Sequence, residues 1–267
     1  MGDRTENMDT VLDGKYKTAR AVIALGMFDG VHLGHRVLLQ KAKSLALRAK
    51  APLVVCTFAS HPMTLIAPEK APPLLTTFEE RARLLEEMGT DVLYALPFDR
   101  TVMNQLPECY IGELVRRFHP TDVVCGYNHS FGKEGRGNPA LLEAVGGALG
   151  FRTSVVPHIT FRGQDVSSTA IRNLLACGEV LTARKMLLRP YERQVSLSCE
   201  KTGLCRVKFA QDAKQSVGAG RYRCLLLVDE KKFPVSVETD EKDNCVCRWA
   251  LPRETEGRLR YFVNSPA

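Results

Sequence analysis

Between Ala19 and Ala49 a short apolar run, a turn rich in glycine and histidine, and a long amphipathic segment follow one another directly. The run Ala21 to Leu25 ends at Gly26 and is too short for a helix, so it reads as a buried parallel strand. Beyond the turn, Val37, Leu38, Leu45 and Leu47 recur at helical spacing, with Lys41 and Arg48 toward the other face. Gly26 to His35 therefore occupies a strand-to-helix corner, where free N–H groups and the positive end of the helix dipole attract an anion. Gly30 and Gly34 let a phosphate approach the backbone. His32 and His35 lie three apart, so a helix beginning near Leu33 turns both rings into one crevice.

The rest of the chain repeats this strand-then-helix rhythm. Leu53 to Phe58 is a second strand, followed by a proline-rich loop from Ser60 to Leu74. Thr77 to Glu80 has capping-box spacing and opens a helix to Met88, and Asp91 to Leu96 returns as a strand. Pro107 to Phe118 reads as a helix, Asp122 to Gly126 as a strand, Pro139 to Gly150 as a helix and Thr153 to His158 as the last strand of the set. Such alternation implies a parallel sheet with right-handed crossovers and a ligand beyond the strands' carboxyl ends. In Val166 to Gly178, Ser168 or Thr169 can cap a helix whose first turn carries Arg172, which directs hydroxyls, N–H groups and a guanidinium at one anion.

From Arg189 the pattern changes to short alternating runs. Val195 to Cys199, Cys205 to Phe209, Tyr222 to Val228, Pro234 to Val237, Cys245 to Trp249 and Leu259 to Val263 predict a small antiparallel sheet or barrel. The expected organisation is a tail over 1–17, an α/β domain over 18–189 and a β-rich domain over 190–267. A length of 267 residues suits two domains of unequal size.

Charge and composition exclude several classes. A net charge of +7 favours anionic partners, yet the sequence contains no basic run or nucleic-acid motif, so no nucleic acid is expected. The amino-terminal stretch is polar where a signal peptide is apolar, and no apolar run approaches the ~20 residues of a membrane span. The expectation is a cytoplasmic protein without a membrane partner; the sequence leaves its oligomeric state open. Nine cysteines at scattered spacing argue for reduced structural thiols over a disulfide framework. Cys245 and Cys247, with Cys199 and Cys205, lack the gap of common zinc pairs.

A bare His-x-x-His is also read as a helix-start pair or a metal fragment. Here GMFDGVHLGH is accompanied by SSTAIR, and together they resemble the HxGH and SSTxIR signatures of the nucleotidyltransferase superfamily. TFASHP at Thr57 to Pro62 is similar to the TFxPHP segment of the bacterial FAD synthetases. GYNHSFG at Gly126 to Gly132 is similar to their G-(E/Y)-(D/N)-x-x-FG segment, and LLRPY at the domain boundary matches as well. The resemblance covers Arg20 to Tyr191 and implies a Rossmann-like domain that transfers AMP from ATP to FMN, giving FAD and pyrophosphate. It puts Gly26, Met27, Phe28, Gly30 and Gly34 along ATP, and His32 and His35 on the α-phosphate. Ser168, Thr169 and Arg172 take the leaving phosphates, with magnesium carried by the nucleotide, and Asn128 takes phosphate or the metal shell. Phe58, His61, Pro62, Ile66, Tyr110, Asn128 and Phe131 flank the flavin; Ile66 and Tyr110 serve equally well as core, and Asp29 reads as structural.

Three positions depart from the family pattern. Ser60 replaces a proline, His129 an aromatic, and Met27 an asparagine or valine, all of which bear on the flavin side more than on the phosphates. No GRxLGFPTAN-like riboflavin kinase segment occurs after Tyr191, so the second domain is expected to be a reduced, kinase-like barrel without kinase activity. Two other functions compete: transfer to nicotinamide mononucleotide or phosphopantetheine, which TFASHP and GYNHSFG disfavour, and a non-catalytic flavin or nucleotide sensor, which has no use for His32, His35, Ser168 and Arg172 together.

Overall fold

The computed structural model describes residues 8–12, 15–200, 204–229, 231–240, 245–248 and 254–264. Its elements run β1 Asp9–Val11, β2 Ala21–Leu25, α1 Leu33–Ala49, β3 Leu53–Phe58, α2 Met63–Ile66, α3 Phe78–Glu87 and β4 Val92–Leu96. They continue with α4 Arg100–Met103, α5 Pro107–Phe118, β5 Pro120–Gly126, α6 Pro139–Leu149 and β6 Arg152–Val156. Next come β7 Thr160–Phe161, β8 Gln164–Asp165, α7 Ser168–Ala176 and α8 Val180–Leu187. The last six strands are β9 Tyr191–Cys199, β10 Leu204–Phe209, β11 Gly220–Val228, β12 Lys231–Thr239, β13 Cys245–Arg248 and β14 Glu254–Asn264. Contacts divide the chain into a sheet unit, through Pro72 together with Phe78–Ile159, and a barrel unit, Pro73–Thr77 together with Thr160 onward.

In the sheet unit the strand order is β1-β4-β3-β2-β5-β6, and every pairing is parallel. All five residues of β2 are buried, which is why the run is continuously apolar rather than alternating. Val22 and Ala24 face one core with Leu38, Leu39 and Ala42 of α1 and Leu84 and Leu85 of α3. Ala21, Ile23 and Leu25 face the other core, with Ile111, Leu114 and Phe118 of α5 and Leu142 of α6. The chain leaves β2 toward β3 and β4, then crosses back to β5 on the opposite side. That reversal opens a crevice beyond the carboxyl ends of β2 and β5.

Two sequence expectations change here. Asp9–Val11, within the segment read as a tail, forms an edge strand paired with β4. Leu47, placed on the apolar stripe of α1, is 69% exposed, and the buried face is instead Leu38, Leu39, Ala42, Leu45 and Ala46. Residues 1–7 and 13–14 of the expected tail, and Trp249 of the fifth expected barrel strand, lie outside the described residues.

The barrel unit closes its six antiparallel strands in the order β10-β13-β12-β11-β14-β9. Along β9, Tyr191, Arg193, Val195 and Leu197 are buried while Gln194, Ser196 and Ser198 are exposed, the period of two that a barrel wall requires. Tyr191, Tyr222 and Tyr261 fill the interior, and α8 packs on β9 and β14. The thiol expectation fails at one place: Cys199 and Cys205, directly opposite each other on β9 and β10, form a disulfide. By their contacts α7 and α8 also belong to this unit.

Candidate active site

The corner after β2 is built by unusual backbone. Phe28, Gly30 and Val31 have φ of 54°, 81° and 39°, so the chain reverses through left-handed conformations within four residues. The Val31 N–H donates to the Phe28 carbonyl at 3.0 Å, closing the turn. A side chain at position 26 would meet the Phe28 ring at 3.0 Å, so glycine there permits the ring to tuck beneath the strand end. The helix α1 then starts at Leu33, with His32 as its N-cap and no acidic residue in its first turn. Apart from the His35 N–H, which the His32 side chain caps, the first N–H groups meet no acidic side chain of their own turn, an arrangement that suits an external anion.

The two histidines are stacked, with ring centroids 3.6 Å apart and planes inclined by 18°. His32 Nδ1 accepts from the His35 N–H at 3.4 Å. Nδ1 therefore carries no proton, and Nε2 is the donor. Burial, together with the neighbouring His32 and Arg81, holds His35 well below the usual histidine range. His35 is thus a neutral imidazole near pH 7, able to donate one hydrogen bond without adding charge.

Beyond the strand ends lies a cavity of about 350 Å³, lined entirely from the sheet unit. His35, Gly26, Met27 and Phe28 line it from the corner, Phe58 from the end of β3, Pro62 from the loop that follows, and Asn128, His129 and Phe131 from the loop after β5. Tyr110 of α5 completes an aromatic wall: its centroid is 5.1 Å from that of Phe131, which lies 5.6 Å from His129. Such a wall suits a planar aromatic ligand. Phe131 and Gly137 exchange backbone hydrogen bonds, and a side chain at 137 would overlap the Phe131 ring, so this glycine sets the ring's position.

Other sequence candidates stand elsewhere. His61 folds back on its own loop, with Nδ1 accepting from the Met63 N–H at 3.2 Å, and Ile66 is 53% exposed; neither lines the cavity. Gly30, His32 and Gly34 belong to the corner but not to the cavity lining. Ser168, Thr169 and Arg172 belong to the barrel unit. There Ser167, rather than Ser168 or Thr169, caps α7: its backbone is extended and its Oγ accepts from the Ala170 N–H at 3.1 Å. Arg172 is buried and its Nε donates to the Pro73 carbonyl at 2.6 Å.

The cavity also has walls that the motifs did not announce. Tyr94, Gln105, Glu113 and Arg117 line it from β4, the segment after α4, and α5. Glu113 accepts from Gln105 at 3.1 Å and from Arg117 at 2.8 Å. Burial raises the Glu113 carboxyl, but these hydrogen bonds and the two arginine charges outweigh it, leaving the group below the ordinary glutamate range. The i, i+4 spacing of Glu113 and Arg117 on an otherwise apolar helix face was the available signal.

His129 has a measurable consequence. Burial pushes its imidazole down to about 4, against 6.5 for an ordinary histidine. Between these values the unfolded chain binds the extra proton and the folded chain does not, so stability present above pH 6.5 is lost as pH falls toward 4. His129→Phe should flatten this acid limb by up to ~3 kcal/mol. Denaturant unfolding at pH 7 and pH 4.5 checks it; parallel losses in both proteins would refute the assignment.

The FAD synthetase family model matches residues 15–170 of the chain. The bifunctional riboflavin kinase/FMN adenylyltransferase of Bacillus subtilis (strain 168) is 32% identical over 179 residues, covering 66% of this chain and 56% of that protein. The protein of the same description from Escherichia coli (strain K12) is 33% identical over 171 residues, covering 64% and 55%. The chain thus spans little more than half the length of these relatives. A solved structure described as a macrolide-efflux protein from Streptococcus pneumoniae shares the fold: its TM-score is 0.85 at 20% identity, covering 97% of this chain and 90% of that one.

Proposed function

Because the chain belongs to the FAD synthetase family, we propose that it transfers AMP from ATP to FMN and releases pyrophosphate. The observation that carries this reading is the aromatic cavity at the sheet's switch point, opening beside a helix-start corner that holds two stacked histidines. One part suits a flavin ring and the other a phosphate.

An FMN phosphate oxygen attacks the α-phosphorus of ATP, a new P–O bond forms, and the bond from the α-phosphorus to the bridging β-oxygen breaks. The attacking phosphate is already an anion, so positioning and charge stabilisation carry the catalysis and no strong base is needed. His32 Nε2–H and the neutral His35 donate to the α-phosphate oxygens as charge builds there. The open N–H groups of α1 add the helix dipole. Asn128, exposed beside the cavity, contacts phosphate or the magnesium that arrives with ATP. By the resemblance of SSTAIR to the family motif, we propose that Ser168, Thr169 and Arg172 take the leaving pyrophosphate.

Tyr110, Phe131 and Phe58 receive the isoalloxazine, with Pro62 at the edge. The barrel unit is proposed to lack riboflavin kinase activity, because its sequence lacks the kinase segment. Incubation with magnesium ATP and either FMN or riboflavin, followed by separation of the flavins, tests both statements. FAD from FMN and no FMN from riboflavin is the expected pair of results. FMN from riboflavin would refute the second statement, and no FAD from FMN the first.

A further inference from the structure

Arg81, in the first turns of α3, is 3% exposed. A charge taken out of water is costly unless its donors are satisfied. Here no carboxylate accepts from them in the hydrogen bonds seen. Instead Nη1 donates to the Met27 carbonyl at 3.1 Å, and Nη2 donates to the carbonyls of Phe58 and Ala59 at 2.7 and 3.2 Å. Phe78 lies under the guanidinium at 5.4 Å. Burial lowers the arginine's pKa, while the charges of Asp29 and Glu79 oppose the shift.

The three acceptors share one property: they lie beyond the last pair of β2 with β3, Leu25 with Cys56, although Phe58 still pairs with Leu96 of β4. The last backbone-to-backbone bond seen between these segments runs from the Gly26 N–H to the Cys56 carbonyl at 3.3 Å. Past it, the β2 end turns toward His32 and His35, and the β3 end turns toward Pro62. Carbonyls left there without donors would be half-buried and unpaired. Thr57 Oγ1 supplies a second donor to the Met27 carbonyl at 3.2 Å, so that one oxygen is held from two directions. A planar fork spans both strand ends at once, which an ammonium point charge cannot do.

We propose that Arg81 is a positioning residue: it clamps the loop after β2 to the end of β3 and the loop that follows, and so fixes the phosphate corner relative to the flavin-facing segment. This rests on the proposed AMP transfer for its catalytic consequence, though not for its structural one. Arg81 does not line the cavity and so acts only through Met27, Phe58 and Ala59, two of which do. In-line transfer needs reacting atoms about 3–3.5 Å apart, and a displacement of ~1 Å costs ~10²-fold in rate.

The test uses the full chain carrying Arg81→Met, Arg81→Lys and, as a milder second site, Thr57→Val. Arg81→Met should lower kcat by ~10²-fold with the KM for ATP and for FMN little changed. Arg81→Lys should recover part of that loss, and Thr57→Val should move kcat in the same direction by less. Hydrogen–deuterium exchange should quicken in 26–32 and 59–62 together, with β2, β3 and β4 still protected. A wild-type kcat in Arg81→Met, or a rise in KM without a fall in kcat, overturns the catalytic role. Unchanged exchange in both loops overturns the clamp, and that readout stands even if the wild type forms no FAD. If Arg81→Met does not fold, Arg81→Lys and Thr57→Val give the same comparison.

Discussion

Replacing His32 with alanine should lower AMP transfer by ~10²–10³-fold, the usual consequence of removing one preorganised donor from a developing charge, while flavin binding stays near its original level. The geometry separates two roles in this side chain. Its Nδ1 caps α1 by accepting from the His35 N–H, and loss of a cap costs ~1 kcal/mol of stability. Its Nε2–H is the donor assigned to the α-phosphate. His32→Asn restores a good capping residue but not the imidazole donor, so it should regain stability without regaining turnover. Steady-state kinetics with flavin binding measured separately decides the matter: equal losses of turnover and flavin affinity would assign His32 to the flavin pocket, and full activity in His32→Asn would leave only the cap.

Phe28→Ala should produce the largest loss of stability among substitutions at the corner, ~3–5 kcal/mol, with turnover falling alongside. The ring is fully buried, packs beneath Gly26 and meets His35 edge-on at 5.3 Å. Its backbone is left-handed, a conformation that alanine tolerates no better, so the cost is that of the vanished ring and its cavity. Phe28→Gly relieves the backbone strain while deleting the same ring, and its loss should differ from that of alanine by about 1 kcal/mol. Chemical denaturation of the full chain measures both. A loss below ~1 kcal/mol for Phe28→Ala would mean that the corner is held chiefly by its hydrogen bonds.

The sequence made the parallel sheet legible because its strands are buried on both faces and their apolar runs end at glycine or a turn, as Ala21 to Leu25 ends at Gly26. It made the barrel legible through alternation, as in Val195 to Cys199, which the structure extends back to Tyr191. What it hid depends on partners distant in the chain. Asp9–Val11 has no apolar run and is a strand only because β4 offers an open edge. Ser167 takes the cap of α7 because its backbone is extended there, a choice that three adjacent hydroxyl residues leave open.

Arg81 sits in the run Glu79-Glu80-Arg81, which reads as an exposed helix start. Yet it lies three and four residues before Leu84 and Leu85, on the buried face, and that spacing was the signal for it. The corner itself was readable as an anion site from glycine and histidine alone. Its stacked rings and its left-handed turn at Phe28 and Val31 were not, since no residue pattern demands positive φ at a phenylalanine or a valine.

The central claim is that the α-phosphate of ATP passes to a flavin phosphate. The direct measurement supplies ATP labelled at its α-phosphate to the purified chain with magnesium and an equimolar mixture of FMN, nicotinamide mononucleotide and phosphopantetheine, and then finds the label. The account predicts label in FAD, none in the released pyrophosphate, and FAD formation lost in His32→Ala. Label in either other acceptor's adenylylated product, or none in any of the three, would contradict it.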